Sequence, residues 1–297
     1  MSHLTLAAAQ IRCVPGDIGA NLALHLDAIA QARAAGVQIL LFPELSLTDY
    51  LSVPDCGRLM RPLDAAEVLS LAAAAGNMLV SFGMIEAAEG APCNAQLLVS
   101  RGQILHVHRK LYLPQYGSLA EADHYRPGRR LATAATPVAQ LATLICADSW
   151  NPALVWLIAQ QAPDVLLQPV ASARSAVGAE FDNPGGWDVN LRHTAMTWGL
   201  PVVMCNHCGT RGGLDFWGGS RILDAFGREL IRAGEDEALI SATIDTAGAM
   251  RARALLPTAR DADPALIADL IRRTGLMDDQ SSEMLMSDTA REEQARM

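Results

Sequence analysis

The stretch AQLATLICADSWNP, residues 139–152, decides how this chain is read. Val138, Leu141, Leu144 and Ile145 have the composition of a buried strand. Asn151 is a good N-cap, Pro152 suits the first helical position, and the following LVWLIAQQA has helical apolar spacing. Cys146 therefore falls where a strand ends and a helix is about to begin. A thiol there points off a sheet edge towards the positive end of a helix, which lowers its pKa below the free value of about 8.5. Such a thiol suits a nucleophile. A packed core cysteine fits the same local pattern, so the rest of the chain has to decide.

At 297 residues the chain has room for one large α/β domain or two small ones. A hydrophobic content of 51% against 19% charged residues describes a globular chain with a large core. The net charge of −9 argues against nucleic-acid binding through a basic surface. No apolar run approaches the roughly 18 residues of a membrane span. The opening MSHLTLAAAQ lacks the basic region of a signal peptide, so a cytoplasmic location with six reduced cysteines is expected. Cys205 and Cys208 frame His207 in a C-x-x-C. With no second pair at zinc-site spacing, PVVMCN reads as a buried strand end, and neither a metal nor any other cofactor is expected.

In chain order, 4–11 reads as a strand, Asp17 to Ala35 as a helix closed by Gly36, and VQILLF (37–42) as a buried strand stopped by Pro43. An alanine-rich helix (64–75) precedes three strands at 78–85, 95–100 and 104–109. Residues 111–130 carry Pro114, Gly117, Pro127 and Gly128 with no period, and a loop of that length is usually functional. After the Cys146 segment come a strand at 165–170, an irregular stretch at 171–186 and a helix from Trp187 to Trp198. A strand at 201–206, a hairpin at 219–234, a strand at 239–245 and a helix near 264–273 complete the pattern. This alternation predicts sheets covered by helices in a single domain, 1–276. From Met277 to Met297 six acidic and two basic residues make a tail that is mobile or packed on a partner subunit.

Glu44, Lys110 and Cys146 each fall directly after a β-run, and in α/β proteins the strand ends collect the working residues. Together a carboxylate, an ammonium and a thiol perform acyl transfer. Glu44 takes the thiol proton, the sulfur attacks a carbonyl carbon, and Lys110 with the backbone N–H of Ala147 holds the oxyanion. Glu44 and Lys110 taken singly also fit an ordinary surface pair. On this reading Lys110→Ala abolishes turnover and leaves stability almost unchanged.

These residues carry a resemblance. PE at 43–44, RKLYLP at 109–114 and ICADSW at 145–150 look like the three signatures of the nitrilase, or carbon–nitrogen hydrolase, superfamily, in the same order. Glu121 with Tyr125 and Gly128, Asn206, and FWGGSRILDAFG at 216–227 extend the likeness over about residues 4–250. The resemblance implies a four-layer αββα sandwich, a Glu44–Lys110–Cys146 triad and Glu121 as a second glutamate orienting lysine and substrate. It also implies a homodimer or higher homo-oligomer. Ala147 and Asp148 stand where true nitrilases usually have Trp and Glu, which favours the amidase and carbamoylase branches. LRHTAM in the helix at 187–198 departs from the pattern common in amidases and puts that pocket wall in doubt.

The implied activity is cysteine-dependent hydrolysis of a small linear amide or N-carbamoyl compound through a thioester. The alternatives are a nitrilase, a glutaminase-type ammonia supplier to a partner enzyme, and a non-catalytic scaffold. Trp150, Ala171 and Ser172 are expected at the substrate, and Arg174 or Arg192 beside a substrate carboxylate.

Overall fold

The computed structural model describes residues 3–275. The chain divides into a unit running to Ala259 and a second from Arg260, whose helix is Pro264–Arg273. The acidic tail expected from Met277 lies outside the described residues.

The larger unit holds two six-stranded sheets. One runs in the order Ala238–Asp245, His3–Gln10, Ile39–Leu41, Leu79–Glu86, Cys93–Ser100, Gln103–Arg109. The other runs Glu229–Arg232, Arg221–Leu223, Val202–Asn206, Val165–Val170, Gln140–Thr143, Ala134–Ala135. Central strands in each sheet are parallel and the outer ones antiparallel.

The two-residue period of the strands sorts their side chains into layers. Leu4, Leu6, Ile39 and Leu41 meet Leu167 and Val203 of the other sheet. Their alternates Ala7, Leu40 and Phe42 pack under Ile29, Val68 and Leu71 of the helices Ile18–Ala34 and Ala66–Ala75. On the far side Leu166, Val202 and Met204 pack with Val155, Ile158 and Leu191 of the helices Pro152–Ala159 and Asn183–Trp198. Strands covered on both faces read as unbroken apolar runs, as VQILLF and VLLQPV do. The layers are helix, sheet, sheet, helix, as the resemblance implies.

Several boundaries differ from the sequence expectation, each for a local reason. The helix expected from Trp187 begins at Asn183, because Asp182 accepts from the Gly185 N–H at 3.1 Å and Pro184 fits the first turn. The α-helix starts at Pro152 with Asn151 capping Ala153, as expected, but Cys146–Trp150 forms a 3₁₀ turn of its own before it. The thiol is thus not at the N-terminus of that helix. A hairpin of Cys208–Arg211 and Leu214–Trp217, turning at Gly212 and Gly213, and a helix Thr246–Leu255 capped by Asp245 were not expected. No helix among the described residues is long and apolar enough to cross a membrane.

One close approach ties the first sheet to the chain after Glu44. Leu45 and Asp49 take left-handed φ values of 51° and 68°, folding the segment back over strand Leu79–Glu86. There the Leu47 N–H donates to the Gly83 carbonyl, and a Cβ on Gly83 would lie 2.2 Å from the Leu45 nitrogen. Gly83→Ala is expected to lower stability by about 1–3 kcal/mol through overpacking and to displace Glu44. A denaturant titration with a wild-type midpoint would contradict this.

Candidate active site

Glu44 is three residues beyond strand Ile39–Leu41, Lys110 directly follows strand Gln103–Arg109, and Cys146 is three residues beyond strand Gln140–Thr143. The structure brings the first two into contact. Lys110 Nζ donates to Glu44 Oε1 at 2.6 Å and to Glu121 Oε1 at 2.8 Å, with all three side chains buried. Asn94 donates to the same Glu44 oxygen at 2.7 Å, and Tyr50 Oη donates to Glu121 Oε1 at 2.8 Å. Glu44 Oε2 and Glu121 Oε2 are buried without a partner among the described residues, and the ammonium has one N–H beyond the two it gives the glutamates.

Charge and burial fix the protonation pattern. Burial works to lower the Lys110 pKa, but the charges of Glu121 and Glu44 outweigh it and hold the value well above the usual one. Burial raises Glu121 to about 7, with Lys110 pulling against it and Glu44 pushing the same way. The Cys146 thiol is also raised, first by burial and then by the charge of Glu44, while Lys110 and the Ala171 N–H pull it down. The lowered thiol pKa expected from a helix N-terminus is therefore corrected: no α-helix starts there, and burial beside a carboxylate dominates. Cys146 itself takes φ 43°, a left-handed conformation that turns the chain sharply off the strand.

Asp148 anchors this turn. Its Oδ1 accepts from the Leu111 and Tyr112 N–H groups, both at 2.9 Å. Its Oδ2 accepts from the Ile145 N–H at 3.1 Å and from His108 Nε2 at 2.9 Å. One carboxylate so joins the chain just after Lys110 to the chain just before Cys146.

A cavity of about 30 Å³ opens beside the sulfur. Ala147, Trp150, Ala171 and Ser172 line it, as expected, together with Glu121. Tyr50, Tyr116, Leu119 and Trp187 are among the other residues of its wall. Arg174 does not join them. It is 44% exposed and ion-paired with Asp215 at 2.9 Å and Glu235 at 2.6 Å, because it follows the turn that hydrogen-bonds to the hairpin at Asp215. Arg192 is likewise taken up by Asp188 at 2.9 Å.

His207 proves structural. Cys13, Asp49 and His207 place ligand atoms within 4.8 Å of one another, but the Arg211 guanidinium fills their surroundings. It pairs with Asp49 at 2.7 Å and donates to His207 Nδ1 at 2.9 Å. The imidazole must then carry its proton on Nε2, which donates to the Glu44 carbonyl at 2.7 Å. Burial lowers the His207 pKa to about 4, so the ring is neutral.

Tyr50, Asn94, His108 and the Arg211–His207 pair escaped the sequence reading. Only Asp148 left a trace there, as the third residue of Cys-x-Asp.

With the geometry in place, the comparisons are specific. The carbon-nitrogen hydrolase family profile matches residues 5–254. A glutamine-dependent NAD(+) synthetase of Thermotoga maritima is 30% identical over 82% of this chain, which spans only 42% of that protein. An (R)-stereoselective amidase of a Pseudomonas species is 29% identical over 75% of this chain and 78% of its own length. Among solved structures, a carbon-nitrogen hydrolase of Helicobacter pylori superposes with a TM-score of 0.82 at 22% identity, covering 91% of this chain and 98% of that one. A variant amidase from Nesterenkonia sp. AN1 reaches 0.74 at 25% identity, over 90% and 97% of the two chains. That variant carries a covalent acetamide moiety at its active-site cysteine. The chain belongs to the carbon-nitrogen hydrolase family.

The expectation that Lys110→Ala spares stability does not survive the geometry. Removing the ammonium leaves two buried carboxylates facing each other, so the variant should lose about 3 kcal/mol or more. A melting temperature like the wild type's would contradict this. Glu121 gives a pH test. Its folded pKa is raised from 4.5 to about 7, so between those values the folded state holds a proton that the unfolded chain has released. Its contribution is therefore fully present at low pH and lost as pH rises through about 7. The stability of wild type relative to Glu121→Gln should fall from pH 5 to pH 8 in paired denaturant titrations. A constant difference would refute the raised carboxyl.

Proposed function

We propose that the protein hydrolyses the C–N bond of a small, uncharged linear amide by way of a thioester on Cys146. The observation that carries this reading is the buried Lys110 ammonium clamped between two glutamates that each keep one unpartnered oxygen. In the reaction, Glu44 Oε2 takes the thiol proton as sulfur attacks the amide carbon. The remaining Lys110 N–H and the Ala147 backbone N–H receive the developing oxyanion. As the tetrahedral intermediate collapses, the C–N bond breaks, Glu44 returns the proton to the departing nitrogen, and ammonia or an amine leaves. Glu44 then takes a proton from water, whose oxygen attacks the thioester and frees the acid and the thiol. Glu121, braced by Tyr50, holds Lys110 on the side away from Glu44.

The cavity supports an uncharged acyl group. Among the described residues no arginine or histidine lines it, and Lys110 is already matched by two carboxylates. An N-carbamoyl amino acid or glutamine would bring a carboxylate with no cation to meet it. The covalent acetamide on the Nesterenkonia cysteine supports a nucleophilic sulfur in this site. All six cysteines are free thiols, which supports a cytoplasmic location. Oligomerisation, implied by the sequence resemblance, stays part of the proposal.

Intact-mass spectrometry with a short neutral amide should show an acyl adduct that Cys146→Ala abolishes. Ammonia release should favour short neutral amides at least tenfold over N-carbamoyl amino acids and glutamine. Faster turnover of the carboxylate-bearing compounds would overturn the substrate class. Absence of both adduct and turnover would overturn the hydrolase.

A further inference from the structure

Ser172 lies in the turn after strand Val165–Val170, is 4% exposed and lines the cavity beside Cys146. Its backbone is immobilised: Asn206 Oδ1 accepts from its N–H at 2.9 Å and Asn206 Nδ2 donates to its carbonyl at 3.1 Å. Its hydroxyl receives two hydrogen bonds from indoles. Trp187 Nε1 and Trp217 Nε1 each donate to Ser172 Oγ at 3.1 Å.

An indole N–H is a donor only, and a serine hydroxyl has two lone pairs and one hydrogen. The two tryptophans therefore use the whole accepting capacity of Oγ. What remains is the O–H, for which no acceptor lies within reach among the described residues. The usual ambiguity of a serine, donor or acceptor as the ligand requires, is removed. Both tryptophans are buried and packed in the apolar cluster under the second sheet, so neither ring swings away at small cost.

We infer that Ser172 is a dedicated hydrogen-bond donor to the substrate, and that the enzyme selects short neutral amides whose acyl chain carries an oxygen acceptor. This rests on the amidase reading above and narrows its substrate class. An ether, hydroxyl or carbonyl oxygen near the cavity wall satisfies the O–H. A methylene in the same place leaves a buried donor unmatched, a mismatch that sites built around hydrogen bonds reject strongly. Trp187 and Trp217 are positioning residues: they act on the substrate only through the orientation they impose on the hydroxyl.

Methoxyacetamide and butyramide test this directly, since they differ by one oxygen in place of one methylene. The wild-type enzyme should prefer methoxyacetamide by about tenfold or more in kcat/KM. Most of the difference should lie in KM, because the bond forms equally in ground and transition states. Ser172→Ala should bring the ratio close to one. Because that change strands two indole N–H groups and threatens the fold, Trp217→Phe serves as the second variant. It removes one donor, returns a lone pair to Oγ and should also reduce the ratio, with KM for methoxyacetamide rising. Hydrolysis of both amides at equal efficiency by the wild type would overturn the inference and leave the amidase standing. A tenfold preference that persists in both variants would overturn it too. Hydrolysis of neither amide would bring down the amidase reading and this inference together.

Discussion

An ammonium buried between two carboxylates is the constraint that the rest of this molecule serves. Stripping Lys110, Glu44 and Glu121 of water is expensive, and their mutual attraction offsets it only at close range with well-placed hydrogen bonds. The three come from positions 44, 110 and 121, so a slip of either strand end by one residue would turn a side chain to the other face. The sandwich prevents that slip. Leu40 and Leu41 are fully buried on opposite faces of the first sheet, and Lys110 is tied by its N–H to Asn94 O, next to the side chain that holds Glu44.

Around this centre, polar groups are spent on backbone rather than on substrate. Asp148 ties the chain after Lys110 to the chain before Cys146. His207, held in one tautomer by Arg211, donates to the Glu44 carbonyl. Asn206 fixes both backbone polar groups of Ser172. Each of these side chains is buried, and each converges on the Lys110–Glu44 centre, the chain beside Cys146 or the cavity wall. Reactive geometry needs such rigid support, because displacements of about an ångström are costly in rate.

The sheets and the three strand-end residues were legible because a buried strand writes itself as a continuous apolar run, and each run here stops at a chemically distinct side chain. The supporting residues were not, since their partners are far away in sequence. Asn94 meets Glu44 across 50 positions and Tyr50 meets Glu121 across 71. Arg174 shows the opposite failure. A cation in the turn beside the site invites a substrate carboxylate, yet Asp215 and Glu235 were already there to claim it. Local sequence also misjudged the thiol: it placed the helix start correctly at Pro152 but missed the 3₁₀ turn Cys146–Trp150 that separates the cysteine from it.

That misjudgement bears on mechanism. Burial and the Glu44 charge keep the sulfur protonated at rest, so the site does not store a thiolate. A preformed thiolate beside two buried glutamates would be repelled by both. In the hydrolysis proposed above the proton leaves as the substrate arrives, and the place for it is Glu44 Oε2, a buried carboxylate oxygen with no partner among the described residues. Once that proton has moved, Glu44 is neutral and Lys110 has lost one of its counter-charges. Its electrostatic pull on an oxyanion is greatest at the moment the oxyanion forms. In the proposed reaction the carboxylates that add to burial in raising the thiol pKa at rest thus also favour the charge-separated state.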